Sequence, residues 1–405
     1  MDLEAFRWLL GEDGQRLLGR ATQVYVEQGG DPVRVAAALR REDPSPAHAA
    51  AALTQVDLRA RAAAKFGDDA ARMYFTPEGL EQATRASVAR HRASRIASGR
   101  LSPVLSPVLD LGCGIGGDLL AMASAGLSVT GVDRVELRAE VARANLGALS
   151  LSGTVECAAV EDVDVSGFAA VFADPARRTA RGRVFDVEGW SPPWPFVLSL
   201  LERPSCVKVA PGIPHSLLPA TVEAEWVSDA GGVKEAALWS PQLAAVRRRA
   251  TVIRGDAVAT LTDEDDPGAA PVRPVGRYLH EPDGAVIRAG LVTAVAARVD
   301  GGLVDEHIAY VTGDAALLTP FARSFEVLEE LPYKEKSLRA ALRERRIGRL
   351  TVKKRGVAVA PEDLRRRMAL RGDREATLVL TRVAGKGTAL LVDPLDPADP
   401  ARPHV

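Results

Sequence analysis

The sequence predicts an α/β protein, with a parallel sheet and crossover helices between a helical N-terminal region and a C-terminal α+β region. Three observations predict it. Short apolar runs, Val108 to Leu111, Val129 to Val132, Thr154 to Ala158, Phe168 to Ala173 and Cys206 to Ala210, recur with helical spacers and suit buried parallel strands. A glycine cluster, Gly112, Gly114, Gly116 and Gly117, separates the first run from a helical pattern. The periodicity is helical before residue 95 and changes character again after Ser240.

A chain of 405 residues exceeds one typical domain, and 47% hydrophobic residues supply enough apolar surface for real cores. The expected division is a helical domain over 1–95, the sheet domain over 96–240, a C-terminal region over 241–395 and a disordered Pro/Asp tail over 396–405. Net charge is −1, so affinity for a polyanion requires an uneven charge distribution. Cys113, Cys157 and Cys206 form no C-x-x-C pair and read as reduced core residues, and six scattered histidines suggest no metal site. The acidic start, MDLEAFRWLLGEDG, is unlike a signal peptide and no run spans a bilayer, so a cytoplasmic location without membrane attachment is expected. Oligomeric state leaves no trace in the sequence.

In chain order, Leu3, Phe6, Leu9 and Leu10 share one helix face, and further amphipathic pieces follow, split by Gly29-Gly30, Pro44 and Pro46. Thr76-Pro77-Glu78 is an N-cap, an N1 proline and a first-turn acid, so a helix is expected from there towards Arg92. Arg134 to Leu149 is the spacer helix after the second strand. Thr221 to Val227 and Val233 to Trp239 flank Asp229-Ala230-Gly231-Gly232 as a hairpin. Thr262 to Pro267 is an acidic loop. Between Lys334 and Arg374 fifteen basic residues face five acids, and Ala376 to Val383 reads as the last strand.

The turn after the first strand carries the chemistry. Its glycines let a ligand approach the backbone, the following helix offers free N–H groups, and Asp133 at the end of the second strand can accept hydrogen bonds from ribose hydroxyls. Gly112, Gly114 and Gly117 also satisfy the dinucleotide pattern G-x-G-x-x-G, so the glycines alone leave the cofactor open. Asp110, two residues before the first glycine, suits the ammonium of an amino-acid moiety and would crowd a pyrophosphate.

Asp110, Gly112, Gly114 and Gly116 form D-x-G-x-G-x-G, which resembles class I methyltransferases, whose fold is a Rossmann-like sheet. The resemblance implies S-adenosylmethionine as cofactor, with an acid after the third strand, Glu161 or Asp162 and preferably Asp162, taking the adenine amino group. Asp174-Pro175-Ala176-Arg177 stands where amino-methyltransferases carry Asp-Pro-Pro-Tyr. There the acid and the carbonyl after it accept hydrogen bonds from an exocyclic amine, which makes Asp174 and Pro175 the expected catalytic pair. The stacking aromatic of that motif is replaced by Arg177, whose planar guanidinium can stack on a base. Arg177 and Arg178, clustered with Arg181 and Arg183, are candidates for holding a phosphate backbone. The Thr76-Pro77-Glu78 start is similar to one in trimethylguanosine synthase that folds over the cofactor, which makes Thr76 a candidate substrate contact. Ser191-Pro192-Pro193-Trp194 spells that enzyme's motif but follows no apolar strand and is read as a loop.

Lys353-Lys354-Arg355-Gly356, with Leu370-Arg371-Gly372-Asp373 and Ala376-Thr377-Leu378, resembles the THUMP-like domain found behind bacterial class I methyltransferases. That likeness implies an RNA partner and makes Lys353, Lys354 and Arg355 candidate substrate contacts. The expected function is methylation of RNA, with a guanine N2 amine of tRNA or rRNA as one target. The alternatives are a small-molecule methyltransferase and a non-catalytic RNA-binding protein that keeps the cofactor fold.

Overall fold

The computed structural model describes residues 2–43, 45–98, 107–177, 190–191 and 193–396; the expected tail beyond 396 lies outside them. The chain divides into two compact units, Met1–Val222 with Ala237–Ala245, and Glu223–Ala236 with Val246–Val405.

The first unit opens with six helices: α1 (Leu3–Leu10), α2 (Glu12–Glu27), α3 (Pro32–Glu42), α4 (Pro46–Phe66), α5 (Pro77–Gln82) and α6 (Ala86–Ala97). One device starts three of them. Asp31, Ser45 and Thr76 each accept a backbone N–H from the first turn, and a proline at N1 fixes the entry. Pro46 therefore begins a 21-residue helix rather than splitting two shorter pieces. The helix expected from Thr76 to Arg92 is broken after Gln82, where Ala83 turns to extended backbone and α6 starts anew at Ala86. Lys65 of α4 closes α5 by donating to the carbonyls of Leu80, Glu81 and Ala83 at 2.6, 2.9 and 3.1 Å. Those carbonyls are the ones a helix end leaves without partners.

The strands of this unit are β1 (Val108–Leu111), β2 (Val129–Asp133), β3 (Thr154–Cys157), β4 (Ala170–Ala173), the short pair β5 (Ala176–Arg177) and β6 (Trp190–Ser191), and β7 (Ser205–Val209). Helices α7 (Gly117–Ser124), α8 (Glu136–Ala148) and α9 (Trp194–Leu200) are interspersed among them. Trp194, read from sequence as a loop residue, instead begins α9 behind Pro193 as N-cap. The sheet runs β7-β4-β1-β2-β3, every neighbour parallel. From β1 the chain winds outward through β2 and β3, then returns to place β4 on the other side of β1. The gap between β1 and β4 is thus the point where winding reverses, and open α/β sheets bind ligands there. Phe6, Leu9, Phe75, Val108 and Phe172 belong to one apolar cluster, so the helices and the sheet share a core.

The second unit contains β8 (Glu223–Asp229), the first residues of β9 (Gly232–Trp239), β10 (Arg248–Arg254) parallel to β8, and β11 (Ala257–Thr262) antiparallel to β10. β8 and β9 are neighbours, as the hairpin reading expects. The β10–β11 pair has no counterpart in that reading. Asp263–Asp265 forms a single 3-10 turn with a Thr262–Asp265 capping box.

A second sheet follows, of β12 (Tyr278–Pro282), β13 (Gly302–Asp305), β14 (Ile308–Gly313), β15 (Ala322–Leu331), β16 (Ile347–Lys354), β17 (Arg374–Val383) and β18 (Lys386–Pro394). Its order is β13-β14-β12-β15-β18-β17-β16, with only β16 and β17 parallel. Helices α10 (Gly284–Ala289), α11 (Val292–Arg298), α12 (Glu335–Glu344) and α13 (Pro361–Met368) complete the unit. The sheet does not end at Val383 as expected from sequence, because a turn at Ala384 and Gly385, both at positive φ, returns the chain as β18. No described helix is long and apolar enough to cross a membrane.

Candidate active site

The glycine turn is a local consequence of backbone sterics. Gly112, Gly114 and Gly116 adopt φ of 81°, 57° and 93°, a region that strains residues carrying a Cβ. The N–H groups of Gly112 and Cys113 both donate to Val132 O, at 2.8 and 2.9 Å, which ties the turn to the end of β2. Asp133 completes that tie. Its Oδ2 accepts from Gly114 N at 3.0 Å and its Oδ1 from Val135 N at 2.8 Å, leaving lone pairs on both oxygens for further donors.

Asp110 is the unusual residue. It is 1% exposed and neither carboxyl oxygen has a hydrogen-bond partner among the described residues. Burial pushes its pKa up to about 7; repulsion from Asp174 and then Asp133 adds to the rise, while Arg92 and Lys208 oppose it. A buried carboxyl without a partner is costly unless a cation joins it. Arg92 is committed elsewhere: it ion-pairs with Asp118 of α7 and lies 4.4 Å over the Phe172 ring.

A cavity of about 440 Å³ opens at the ends of β1, β2 and β4. Its size is within the range of small-molecule sites. One wall is Gly79, Gln82, Ala83 and Thr84, from α5 and the break after it; the others come from the glycine turn, Asp133, Arg134 and Arg138, Val160 and Glu161, Phe172 to Pro175, and Lys208. The wall from α5 approaches closely. A Cβ on Gly79 would meet Ile115 Cγ2 at 2.4 Å. Met73, Tyr74 and Phe75, just before α5, are buried in the shared core, so that segment both packs on the sheet and leads into the wall.

Of the expected residues, the structure brings together Asp110, Gly112, Gly114, Asp133, Glu161, Asp174 and Pro175 around this cavity. Glu161, not the preferred Asp162, lies on the wall: the short 3-10 turn Val160–Asp162 presents its second residue and not its third. Gly116 is not on the wall and shapes the start of α7 instead. Thr76 is buried and its hydroxyl accepts from Gly79 N at 3.0 Å, so it builds α5 rather than facing the cavity. Arg177 pairs through its backbone with Trp190, and Arg178, Arg181 and Arg183 lie outside the described residues. In the second unit Lys353 ion-pairs with Glu281 at 2.6 Å, Arg355 lies 5.4 Å over the Tyr310 ring, and Lys354 is exposed.

Sequence reasoning missed Lys208, Thr84 and Asp118. Lys208 Nζ donates to Asp174 Oδ2 at 2.6 Å and to Thr84 Oγ1 at 3.1 Å. The available signal was a charged residue interrupting the apolar run Cys206 to Ala210, which a buried strand tolerates only when it is paired. Among the described residues no group of three His, Cys, Asp or Glu is placed to hold a metal ion.

The residues fit S-adenosylmethionine. Asp110, buried and without a partner among the described residues, matches the ammonium; Asp133 matches the ribose hydroxyls; the glycine turn lets the ligand approach the main chain; Glu161, the acid on the wall after β3, would take the adenine edge. When bound, that cofactor supplies an electrophilic methyl group on a sulfonium.

Comparison with known proteins agrees. Residues 108–178 match a methyltransferase domain, 322–394 a THUMP domain-like family and 2–62 a domain of unknown function. The chain is 40% identical over 337 residues to an uncharacterized S-adenosylmethionine-dependent methyltransferase present in two strains of Mycobacterium tuberculosis, covering 80% of this chain and 90% of that one. A crystal structure of a methyltransferase from Porphyromonas gingivalis W83 has the same fold, with a TM-score of 0.74 and 23% identity over 93% of this chain and 98% of that one. The chain therefore belongs to the bacterial class I S-adenosylmethionine-dependent methyltransferases that carry a THUMP-like C-terminal domain.

Proposed function

We propose that this enzyme methylates an amino nitrogen of an RNA base, with the guanine N2 amine of tRNA or rRNA the first target to test. The observation that carries the reading is Asp174. Its carboxyl stands at the end of β4 beside the glycine turn, one-third exposed, with Oδ2 held by Lys208. Oδ1 has no protein partner among the described residues, which leaves its lone pairs for an N–H. Aligning a nitrogen lone pair with the methyl group is most of what such a reaction requires.

Cys113 also lines the cavity, but burial and then the nearby Asp110 and Asp133 push its thiol pKa well above the ordinary value. It is therefore a poor nucleophile, which argues against addition of a thiolate to a pyrimidine ring.

The RNA half of the reading rests on the THUMP-like domain and its cations. Many of these are already engaged: Arg345 with Glu329, Arg346 with Asp373, Arg349 with Glu375, Arg365 with Glu362, Arg366 with Asp363 and Arg367 with Glu335. Lys334, Lys336, Arg343, Lys354, Arg371 and Arg374 are exposed, and no carboxylate partner is seen for them among the described residues. With this reading goes a cytoplasmic location. Incubation of unfractionated tRNA and rRNA with methyl-labelled cofactor is expected to label RNA, and Asp174→Ala to abolish the label. A wild-type protein that never labels RNA rules the substrate out; an alanine variant that still does so rules out Asp174.

A further inference from the structure

Lys208 is out of place in a cofactor pocket. S-adenosylmethionine is cationic overall, and a lysine lining the same cavity opposes its binding by like charge. The charge of Lys208 is paired with Asp174, as that of Arg92 is with Asp118. Lys208 bonds two other side chains of the cavity, Thr84 and Asp174. An ammonium is a donor only, so Thr84 Oγ1 must accept from it, and the hydroxyl hydrogen of Thr84 is left to be donated. Asp174 Oδ2 is likewise taken, at 2.6 Å. Both side chains line the cavity, and they come from segments 90 residues apart in the chain, the α5–α6 break and the end of β4. Lys208, on β7, is what joins them.

We propose that Lys208 is a positioning residue that sets Thr84 and Asp174 as a hydrogen-bond donor and acceptor side by side, so that the pocket selects a conjugated nitrogen bearing N–H next to a hydrogen-bond acceptor atom. Amidine- and guanidine-type edges of nucleobases have that pattern. Alcohols, phenols and alkylammonium ions lack it, the last because their nitrogen has no neighbouring acceptor and no free lone pair. The pair also explains how the site works without a stacking aromatic after Pro175: two directional bonds orient the acceptor where a ring face otherwise does. The inference rests on Asp174 as the acceptor-side acid, and does not require that the acceptor be part of RNA.

The test uses the full-length protein saturated with S-adenosylhomocysteine, so that the adenosine subsite is filled. Binding of cytidine, adenosine and guanosine is compared with that of their N,N-dimethylamino forms in the wild type, Lys208→Met, Lys208→Arg and Thr84→Val. The unmodified nucleosides are expected to bind at least about tenfold more tightly than the dimethylated ones, because a site built to hydrogen-bond an N–H rejects the analogue lacking it. Lys208→Met and Thr84→Val are expected to erase that preference, and Lys208→Arg to restore part of it. Affinity for S-adenosylhomocysteine, measured in parallel, is expected to stay within about threefold, which excludes misfolding as the cause. With labelled cofactor and RNA, Lys208→Met is expected to lower kcat about 100-fold, as a misplaced acceptor does, with no rise in KM for the cofactor. The absence of any preference for N–H forms in the wild type, or its persistence in Lys208→Met, overturns the proposal. An N–H preference that depends on Lys208 while no label reaches RNA supports the proposal and sinks the RNA substrate alone.

Discussion

A carboxyl buried beside other acids has to lose its proton before it can hold a cation. Asp110, pushed up to about 7 first by burial and then by Asp174, is half protonated near neutrality in the free protein. An ammonium bound against it favours the anion, so binding expels a proton at pH below about 7. Affinity for S-adenosylmethionine is therefore expected to rise about tenfold per pH unit up to about 7, and to fall once the ligand's own α-amino group deprotonates near about 8. Calorimetry across pH 5.5 to 8.5 checks this; an affinity flat over the acidic half contradicts the role of Asp110. Asp110→Asn is expected to remove the acidic limb and to weaken binding by about 2 kcal/mol or more, since it deletes one side of a buried charge pair. The position of Asp110 was legible in the sequence because acid and glycines are fixed within one short stretch. Lys208 was not, since its partners are Asp174, 34 residues earlier, and Thr84, 124 residues earlier. Which of Glu161 and Asp162 lines the cavity depends on the way one 3-10 turn faces, and a single sequence says nothing about that.

Helix α5 is too short to hold its place by its own hydrogen bonds, and it owes its position to neighbours at both ends. Thr76 caps its start, Gly79 lies against Ile115 of the glycine turn, and Lys65 closes its end on three carbonyls. Lys65→Met is expected to loosen residues 79–84, seen as faster amide exchange confined to that segment, and to weaken cofactor binding about tenfold; unchanged exchange there removes Lys65 from this role. Gly79→Ala puts a Cβ 2.4 Å from Ile115 Cγ2 and is expected to lower stability by about 1–3 kcal/mol in denaturant melts. The cap at Thr76 was readable from Thr-Pro-Glu alone. The break at Ala83 was not, because Gln82 to Arg85 contains no glycine or proline, and the stop is imposed by a lysine from α4. β18 is a different case: Gly385, beside Ala384 and also at positive φ, marks the turn before it, and the apolar run after that turn was legible in the sequence.

Across the whole chain, charge is close to balanced, and the basic stretch from Lys334 to Arg374 is less positive in the fold than in the sequence. Each arginine paired with a carboxylate has given up part of its call on a phosphate. Salt dependence of RNA binding is accordingly expected to be shallower than fifteen cations imply, with a log–log slope of about −4, as for roughly six contacts at −0.7 each on single strands. Lys334→Glu, Lys336→Glu and Arg343→Glu together are expected to weaken RNA binding while leaving cofactor affinity unchanged. RNA affinity that survives the triple change moves the RNA surface elsewhere. The layer order of the first unit followed from hydrophobic periodicity and held, whereas β10 and β11 were passed over as the surroundings of an acidic loop.

The chain leaves the first unit after Val222, returns to it at Ala237 and leaves again after Ala245. No single cut in the gene therefore yields the methyltransferase half alone: a fragment ending at residue 222 lacks Ala237–Ala245, and one ending at residue 245 carries Glu223–Ala236 of the second unit with it. On the ribosome the catalytic half stays incomplete until residue 245 has emerged, by which time the first strand of its neighbour has already been made.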